Sequence, residues 1–317
     1  MSQLFVLSQY LLPKQALTVL IGRLAGLRGG AMTTAAIRRF VARYGVDMSE
    51  AAEPDVAAYP TFNEFFTRPL RRGARPLAAA DLICPVDGAI SQFGAIDGDR
   101  IFQAKGHHYT TTALVGGDAA LAARFAGGSF ATLYLSPKDY HRIHMPCAGR
   151  LTRMIHVPGA LFSVNPATAR GVPGLFARNE RVVCVFDSDH GPWLLVLVGA
   201  TIVGSMATIW HGVVNPPRPG RIRDWRYGAV DYRAADYRAA DYGAAGTPAG
   251  VPGSVPGDAL EKAPENAPAV TLERGEEMGR FLLGSTVVVV VPGTLRFDSA
   301  WAPERPVRLG EAMANRG

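Results

Sequence analysis

Five consecutive valines, Val287 to Val291, set a strict condition on any fold that this chain can adopt. Valine is β-branched and favours extended backbone over helix. A short apolar run without alternating polar residues is typical of a buried strand. The chain must therefore build a β-rich core around this segment, and the residues just before it lie where that core strand begins.

The two residues preceding the segment Thr286–Val291, Gly284 and Ser285, could support a reaction of the backbone itself. Glycine has no side chain to block approach to its carbonyl, and it tolerates strained dihedral angles. If a base removes the hydroxyl proton of Ser285, the oxygen can attack the Gly284 carbonyl and convert the peptide bond into an ester. Elimination and hydrolysis would then leave a pyruvoyl group in place of Ser285. Most Gly-Ser pairs are turns, so an inert turn is the alternative for this pair taken alone.

Helical signals come early in the chain. Apolar residues recur at helical spacing from Thr33 to Tyr44, and Gly45 is a typical C-terminal stop. Thr61 is a candidate N-cap for a second short helix, with Glu64 three residues later as its capping-box partner.

From about residue 82 the pattern changes to short β-like runs separated by glycine. Helices followed by many strands predict an α+β fold, with amphipathic helices over residues 1–60 and a β-rich body over residues 61–317. The predicted strands include 89–93, 130–135, 182–186, 193–198, 200–210, 287–291 and 295–297.

The first 45 residues are basic and strongly apolar. They contain six lysines and arginines and no acidic residue, which matches the net charge of +6 for the whole chain. Such a segment favours a helix lying in a membrane interface and attracted to anionic lipid. A helix packed on the protein's own core is the alternative, and a nucleic-acid-binding arm is disfavoured because the segment is too apolar. No uncharged apolar run reaches the length of a membrane-spanning helix.

A low-complexity stretch interrupts the β-rich body at residues 228–270. It repeats a five-residue unit at 231–235, 236–240 and 241–245, and then becomes rich in Gly, Pro and Ala. A period of five matches neither a helix nor a strand, and three tiny repeats cannot bury a core. We therefore predict a disordered surface insertion, with a segment that folds on contact with a partner as the alternative.

Two further islands supply an acid and candidate bases. Asp87 stands in a turn before a predicted strand, although an Asp-Gly turn also has an ordinary structural explanation. Residues 136–146 contain two histidines, an arginine, a lysine and an aspartate directly after another predicted strand. Together with Ser285 these islands offer the Asp, His and Ser that remove a serine proton near neutral pH.

Two other interpretations use the same residues. His141 and His144 are three apart and could share a metal ion, but no nearby carboxylate or cysteine completes a convincing ligand set. A serine hydrolase would place its serine in G-x-S-x-G, whereas here Leu283 and Val287 occupy the two glycine positions around Ser285. No metal is therefore predicted.

In these islands the chain resembles the phosphatidylserine decarboxylases of the bacterial and mitochondrial membrane-bound type. The similarity keeps a fixed order and covers most of residues 60–226 and 271–317. It is carried by the segments 62–70, 85–88, 139–146, 157–165, 175–181, 198–205, 275–281 and 283–286.

The resemblance implies a proenzyme that cleaves itself between Gly284 and Ser285. His144 would be the base, Asp87 would hold it, and Ser285 would be the nucleophile. The products would be a β chain and a 33-residue α chain, which begins at position 285 as a pyruvoyl group and stays bound through the valine strand.

The resemblance also implies the chemistry of the mature enzyme. The serine headgroup would form a Schiff base with the pyruvoyl group derived from Ser285, and this group would accept the electrons left when CO₂ departs. His141 is the candidate for protonating the product, and Lys138 or Arg142 is the candidate for binding the headgroup phosphate. No free cofactor is needed.

A lipid substrate implies a membrane partner. The resemblance therefore favours a peripheral protein on the cytoplasmic side of a bacterial cell membrane, docked on anionic lipid through residues 1–60. It further implies a heterodimer of the α and β chains, assembled as a homo-oligomer, and no nucleic-acid partner.

Overall fold

A computed structural model of the protein describes residues 6–7, 9–10, 12–201, 205–215, 220–228, 231–233, 269–282 and 285–317. The longest helices in these ranges come first, as the sequence predicts, and the rest of the chain is mainly strands. The helices are α1 (Lys14–Ala25), α2 (Ala31–Tyr44), α3 (Phe62–Phe66), α4 (Thr111–Leu114), α5 (Ala119–Ala123), α6 (Pro166–Gly171) and α7 (Leu175–Arg178), with 3₁₀ turns at Met48–Glu50 and Val56–Ala58.

Local signals in the sequence set the ends of two N-terminal helices. Gly45 ends α2 in the left-handed conformation at φ 68°, which glycine adopts without strain. The hydroxyl of Thr61 accepts a hydrogen bond from the Glu64 amide and caps α3. Both predictions are confirmed. The apolar faces of these helices share one small core, which spans the boundary predicted at residue 60 and contains Ile37, Val46, Tyr59, Phe65 and Phe66.

The strands follow in chain order. They are β1 (Leu82–Ile83), β2 (Gly88–Ala95), β3 (Arg100–Ala104), β4 (His107–Thr110), β5 (Ser129–Tyr134), β6 (Arg142–His144), β7 (Gly149–Val157), β8 (Arg181–Ser188), β9 (Gly191–Val198), β10 (Met206–Thr208), β11 (Gly212–Asn215), β12 (Arg223–Arg226), β13 (Asp231–Arg233), β14 (Ala269–Leu272), β15 (Glu277–Phe281), β16 (Thr286–Val291), β17 (Leu295–Phe297), β18 (Pro306–Val307) and β19 (Ala312–Arg316).

The valine strand β16 lies inside the largest sheet, between β9 and β5. Its residues are buried along its whole length, so the buried strand predicted from the valine run is confirmed. The strand order across this sheet is β13-β14-β7-β8-β9-β16-β5-β2-β18, with β12 also paired to β7. Except for the parallel β13–β14 pair, neighbouring strands are antiparallel.

One row of paired residues shows which ends of these strands lie together. Ser285 lies one residue before Thr286, which is the member of this row on β16. Asp87 lies two residues before Ala89, which is the member on β2. The loop at residues 136–141 follows β5 at the same end. Ser285, Asp87 and the loop at 136–141 therefore lie at the same end of their strands, which forms one edge of the sheet. The row consists of Val157, Arg181, Val198, Thr286, Tyr134, Ala89 and Pro306.

A smaller sheet in the order β11-β10-β15-β6 covers this edge. Strand β15 leads along the chain toward Ser285, and β6 carries His144. The backbone amide of His144 donates to the carbonyl of Pro85 at 2.9 Å, which ties β6 to the approach of β2. The remaining described strands form a β1-β19-β17 sheet and a β3-β4 hairpin.

Two sequence predictions meet the structure only in part. The run predicted as a strand over 200–210 contains β10 at Met206–Thr208, followed by a turn that ends at Gly212 with φ 73°. The long strand is therefore wrong in extent. Most of the predicted insertion at 228–270 lies outside the described residues, and its described ends lie in β13 and β14.

Candidate active site

Asp87 is buried where the chain enters β2. A side chain on the next residue, Gly88, would place its Cβ 2.3 Å from the carbonyl oxygen of Tyr134. Only glycine allows the two strands to approach this closely. The Asp-Gly pair therefore has a packing reason at this position, and it fixes the carboxylate at the edge of the sheet. The backbone amide of Leu309 donates to Asp87 Oδ1 at 2.8 Å.

Arg75 holds the Asp87 carboxylate from the other side. Its Nε donates to Oδ1 at 2.9 Å, and its Nη2 lies 2.5 Å from Oδ2. The same guanidinium donates to Glu50 at 2.6 Å. These bonds lower the pKa of Glu50 and raise that of Arg75. Arg75 was not predicted, because nothing in the sequence distinguishes it from the arginines at 68, 71 and 72.

His144 lies on β6 with both ring nitrogens engaged. Nδ1 is 2.8 Å from the carbonyl oxygen of Gly275, which can only accept, so Nδ1 carries the proton. Nε2 is then the acceptor for the hydroxyl of Tyr140 at 3.0 Å. Burial of the ring lowers the pKa of His144. The residue is therefore a neutral imidazole whose basic nitrogen is covered by Tyr140.

His141 is fully buried at the end of the loop before β6. Its Nδ1 donates to the carbonyl oxygen of Asp139 at 2.7 Å, and its ring lies 4.0 Å from that of Phe66. Its Nε2 is buried and has no hydrogen-bond partner within the described ranges. Burial lowers the pKa of His141 to about 3. The ring is therefore neutral, with one bare nitrogen available to a proton.

The Nδ1 atoms of the two histidines are not free to share a metal ion. Their Nδ1 atoms both face backbone carbonyls, His141 on Asp139 and His144 on Gly275. Across the described part of the chain, no group of three or more His, Cys, Asp or Glu side chains is placed to hold a metal ion.

Ser285 is 1% exposed and begins the approach to β16. Its carbonyl oxygen accepts a hydrogen bond from the Leu135 amide at 2.9 Å, which fixes the backbone, while its Oγ is buried and finds no partner in the part of the chain that the structure describes. A buried hydroxyl without a partner costs free energy, so such an atom needs an explanation. Leu283 and Gly284, the other predicted member of the cleavage site, lie outside the described residues.

The structure thus brings the predicted residues to one edge of the sheet without forming every predicted contact. The carboxylate of Asp87 bonds to Arg75 and Leu309, whereas His144 bonds to Gly275 and Tyr140. The hydrogen bond expected between Asp87 and His144 is not formed in this arrangement.

The two candidate phosphate-binding cations differ in their environment. Arg142 donates through Nε to the carbonyl of Thr67 and through Nη1 to Glu277, both at 2.8 Å. Lys138 is exposed, and no carboxylate of the described residues lies within ion-pairing distance of it. A cavity of about 410 Å³ opens beside Asp87, and Lys138, Tyr140 and Arg68 contribute to its lining.

The N-terminal helices present an apolar surface to solvent. On and after α1, the side chains of Val19, Leu20, Leu24, Leu27 and Met32 are exposed. An exposed apolar patch of this kind is unusual unless it contacts a membrane or a partner. Within the described residues, no helix is both long and apolar enough to cross a bilayer.

Comparison with known proteins identifies relatives across almost the whole chain. A sequence family described as phosphatidylserine decarboxylase matches residues 62–315, and a second, described as PSD, matches residues 4–45. A phosphatidylserine decarboxylase proenzyme of Azoarcus sp. (strain BH72) is 67% identical, over 99% of this chain and 96% of the relative. Proenzymes of the same description from Delftia acidovorans and Variovorax paradoxus are 64% and 67% identical, over 99% and 98% of this chain and 98% and 96% of the relatives.

Proposed function

Because the chain belongs to the phosphatidylserine decarboxylase family, we propose that it cleaves itself before Ser285 and then converts phosphatidylserine to phosphatidylethanolamine and CO₂. The observation that carries the proposal is Ser285 itself. Its hydroxyl is buried, has no hydrogen-bond partner among the described residues and stands just before a fully buried core strand. That environment suits a nucleophile for the neighbouring peptide bond better than a surface turn.

Self-cleavage begins with loss of the Ser285 proton to a base. His144 takes it at Nε2, the nitrogen that now accepts from Tyr140, once that hydroxyl moves aside. Oγ then bonds to the Gly284 carbonyl carbon as the peptide C–N bond breaks and its nitrogen is protonated. Loss of the Cα proton and breakage of the ester C–O bond follow, and water releases ammonia to leave the pyruvoyl ketone. The charge of Asp87 favours the protonated form of His144.

The two products are expected to remain one molecule. The α chain, residues 285–317, contains β16, which pairs with β5 and β9 along its length. It also contains β19, which pairs with β1, and Leu309, which bonds to Asp87. A cut before Ser285 leaves all of these contacts in place, so the α and β chains form a heterodimer.

The residues present fit a pyruvoyl group at position 285, because the Ser285 hydroxyl that generates it is buried and has no hydrogen-bond partner among the described residues. That group supplies a ketone electrophile, which accepts the electron pair released when CO₂ leaves. His141 holds the proton for the reaction: its bare Nε2 takes one from the substrate ammonium and returns it to the carbon that loses CO₂.

The exposed apolar surface on and after α1 supports a peripheral membrane location. Leucines enter the interface and the neighbouring arginines face anionic headgroups, on the cytoplasmic side of a bacterial cell membrane. A homo-oligomeric assembly stays a prediction of the sequence.

The test is release of labelled CO₂ from phosphatidylserine in mixed detergent micelles. Ser285→Ala should abolish cleavage and activity together. His141→Gln should cleave normally yet lose about 100-fold or more in turnover, the usual contribution of a general acid or base. His190→Gln, an exposed histidine, is the matched control and should be unaffected. Full activity in Ser285→Ala would overturn the proposed role of Ser285, and labelling of an intact Ser285 by a fluorophosphonate would favour a serine hydrolase instead.

A further inference from the structure

Arg68 is a buried cation that forms no direct ion pair with an acidic side chain of the described residues. It is 4% exposed. Among those residues its Nε has no hydrogen-bond partner, and its two terminal nitrogens reach only the carbonyls of Phe65 and Lys138, both at 3.5 Å. Within the described ranges, no carboxylate lies within ion-pairing distance of it. Burial of an unpaired guanidinium is costly, so its presence calls for an anion that arrives from outside.

Arg68 lines the 410 Å³ cavity beside Asp87, together with Lys138. The two residues are adjacent in space, because Arg68 bonds to the backbone of Lys138. Lys138 is exposed at this cavity and has no ion-pair partner among the described side chains. Of the four cations that line this cavity, Arg75 and Arg308 are paired with acids, so Arg68 and Lys138 are the two that line the opening without an ion pair to a described side chain. The opening is large enough for a small anion.

The acidic groups lining the same cavity are engaged elsewhere. Asp87 and Glu50 both bond to Arg75, and Arg308 also bonds to Glu50. Asp47 accepts hydrogen bonds from Ser49. Asp139 accepts hydrogen bonds from the amide and hydroxyl of Ser136, and burial raises its pKa. The positive charge of Arg68 and Lys138 is therefore not cancelled by a direct contact.

We propose that Arg68 and Lys138 bind a phosphodiester anion, the phosphate of the lipid headgroup. The assignment rests on the proposed function and names the subsite that this function requires. A guanidinium binds phosphate oxygens through two parallel hydrogen bonds, and a lysine adds a mobile point charge. Arg142, the other candidate from the sequence, is already held by Glu277.

The position agrees with the chemistry proposed for His141. In the headgroup, phosphorus is joined to the carbon that loses CO₂ through one oxygen and one methylene, so the phosphate must bind next to the reacting carbon. Arg68 follows α3, whose Phe66 ring contacts the ring of His141 at 4.0 Å. The charge of Arg68 contributes to lowering the pKa of His141. A phosphate on Arg68 would offset that charge and make His141 a better proton carrier.

The experiment is a calorimetric titration of the full-length Ser285→Ala protein, which neither cleaves nor turns over. Glycerophosphoserine is the probe, and O-methylserine, which keeps the ammonium and carboxylate but lacks the phosphate, is its matched partner. Arg68→Gln should weaken glycerophosphoserine binding by about ten- to a hundredfold, the range for one charge-assisted contact, and leave O-methylserine binding unaffected. Arg72→Gln removes the same charge from an exposed position and should change nothing.

Lys138→Glu keeps the test decisive if Arg68→Gln fails to fold. Lys138 is exposed, so this variant should retain the melting temperature and lose glycerophosphoserine binding. Unchanged binding in a folded Arg68→Gln or in Lys138→Glu would overturn the proposal. Equal affinity for inorganic phosphate would overturn the headgroup assignment and point to a free-phosphate site. Because no step needs turnover, these outcomes are separate from failure of the decarboxylase proposal.

Discussion

Replacing Arg75 with methionine should destabilise the fold more than the same replacement of any exposed arginine. The Arg75 side chain is 6% exposed and bonds to two acidic side chains, Asp87 and Glu50, which are themselves largely buried. Removing one partner of a buried ion pair costs about 3–5 kcal/mol, because the charges left behind are not solvated. Arg75→Met should therefore lower the free energy of unfolding by roughly that amount at neutral pH.

The matched control shares the Glu50 carboxylate. Arg308 bonds to Glu50 at 2.8 Å, but its side chain is 61% exposed. Exposed pairs contribute about 0–1 kcal/mol, so Arg308→Met should be nearly neutral. Urea unfolding of both variants, in the uncleaved Ser285→Ala background, measures the difference directly.

The pH dependence follows from the carboxyl group of Glu50. Its pKa is lowered in the folded protein, first by the hydrogen bond from Arg75. A lowered acid pKa contributes stability that is present above the unfolded value, near 4.5, and that is lost as the pH falls through the folded value. The difference in the free energy of unfolding between wild type and Arg75→Met should therefore become smaller below about pH 4.5. An Arg75→Met variant no less stable than Arg308→Met would refute the reasoning. So would a difference in unfolding free energy between wild type and Arg75→Met that grows as the pH falls.

Three further changes test the site and the surface. Gly88→Ala would put a methyl group against the Tyr134 carbonyl and should block folding or cleavage, visible as a lowered melting temperature and an uncut chain. Tyr140→Phe removes the hydroxyl that covers Nε2 of His144, so self-cleavage, monitored by gel electrophoresis, should be at least as fast as in wild type. Loss of self-cleavage in this variant would show that the hydroxyl takes part in the reaction. Leu24→Glu, at a residue 53% exposed, should reduce flotation with phosphatidylserine vesicles about tenfold or more, while equal flotation would contradict membrane docking through α1.

The parts of the fold that local chemistry determines could be predicted from sequence. The valine run, the left-handed stop at Gly45 and the cap at Thr61 each depend on a few neighbouring residues, and all three were confirmed. The strand predicted over 200–210 was too long, because the apolar pattern does not reveal the turn before Gly212.

The roles of Arg75 and Arg68 depend on tertiary contacts and could not be predicted in this way. Both stand in an arginine-rich stretch in which every member has the same local signal. Only the fold shows that Arg75 pairs with Asp87 and that Arg68 forms no ion pair with a carboxylate of the described residues. The candidate roles of His141 and His144 came from the family resemblance, and the structure adds the protonation state of each ring.

The intact mass of the purified protein, beside that of Ser285→Ala, tests the central claim most directly. Wild type should give two chains, with the smaller one spanning residues 285–317 and carrying the mass of a pyruvoyl group in place of Ser285. Ser285→Ala should give one chain of full length. A wild-type chain that stays whole, or a fragment that also forms in Ser285→Ala, would contradict self-cleavage at this serine.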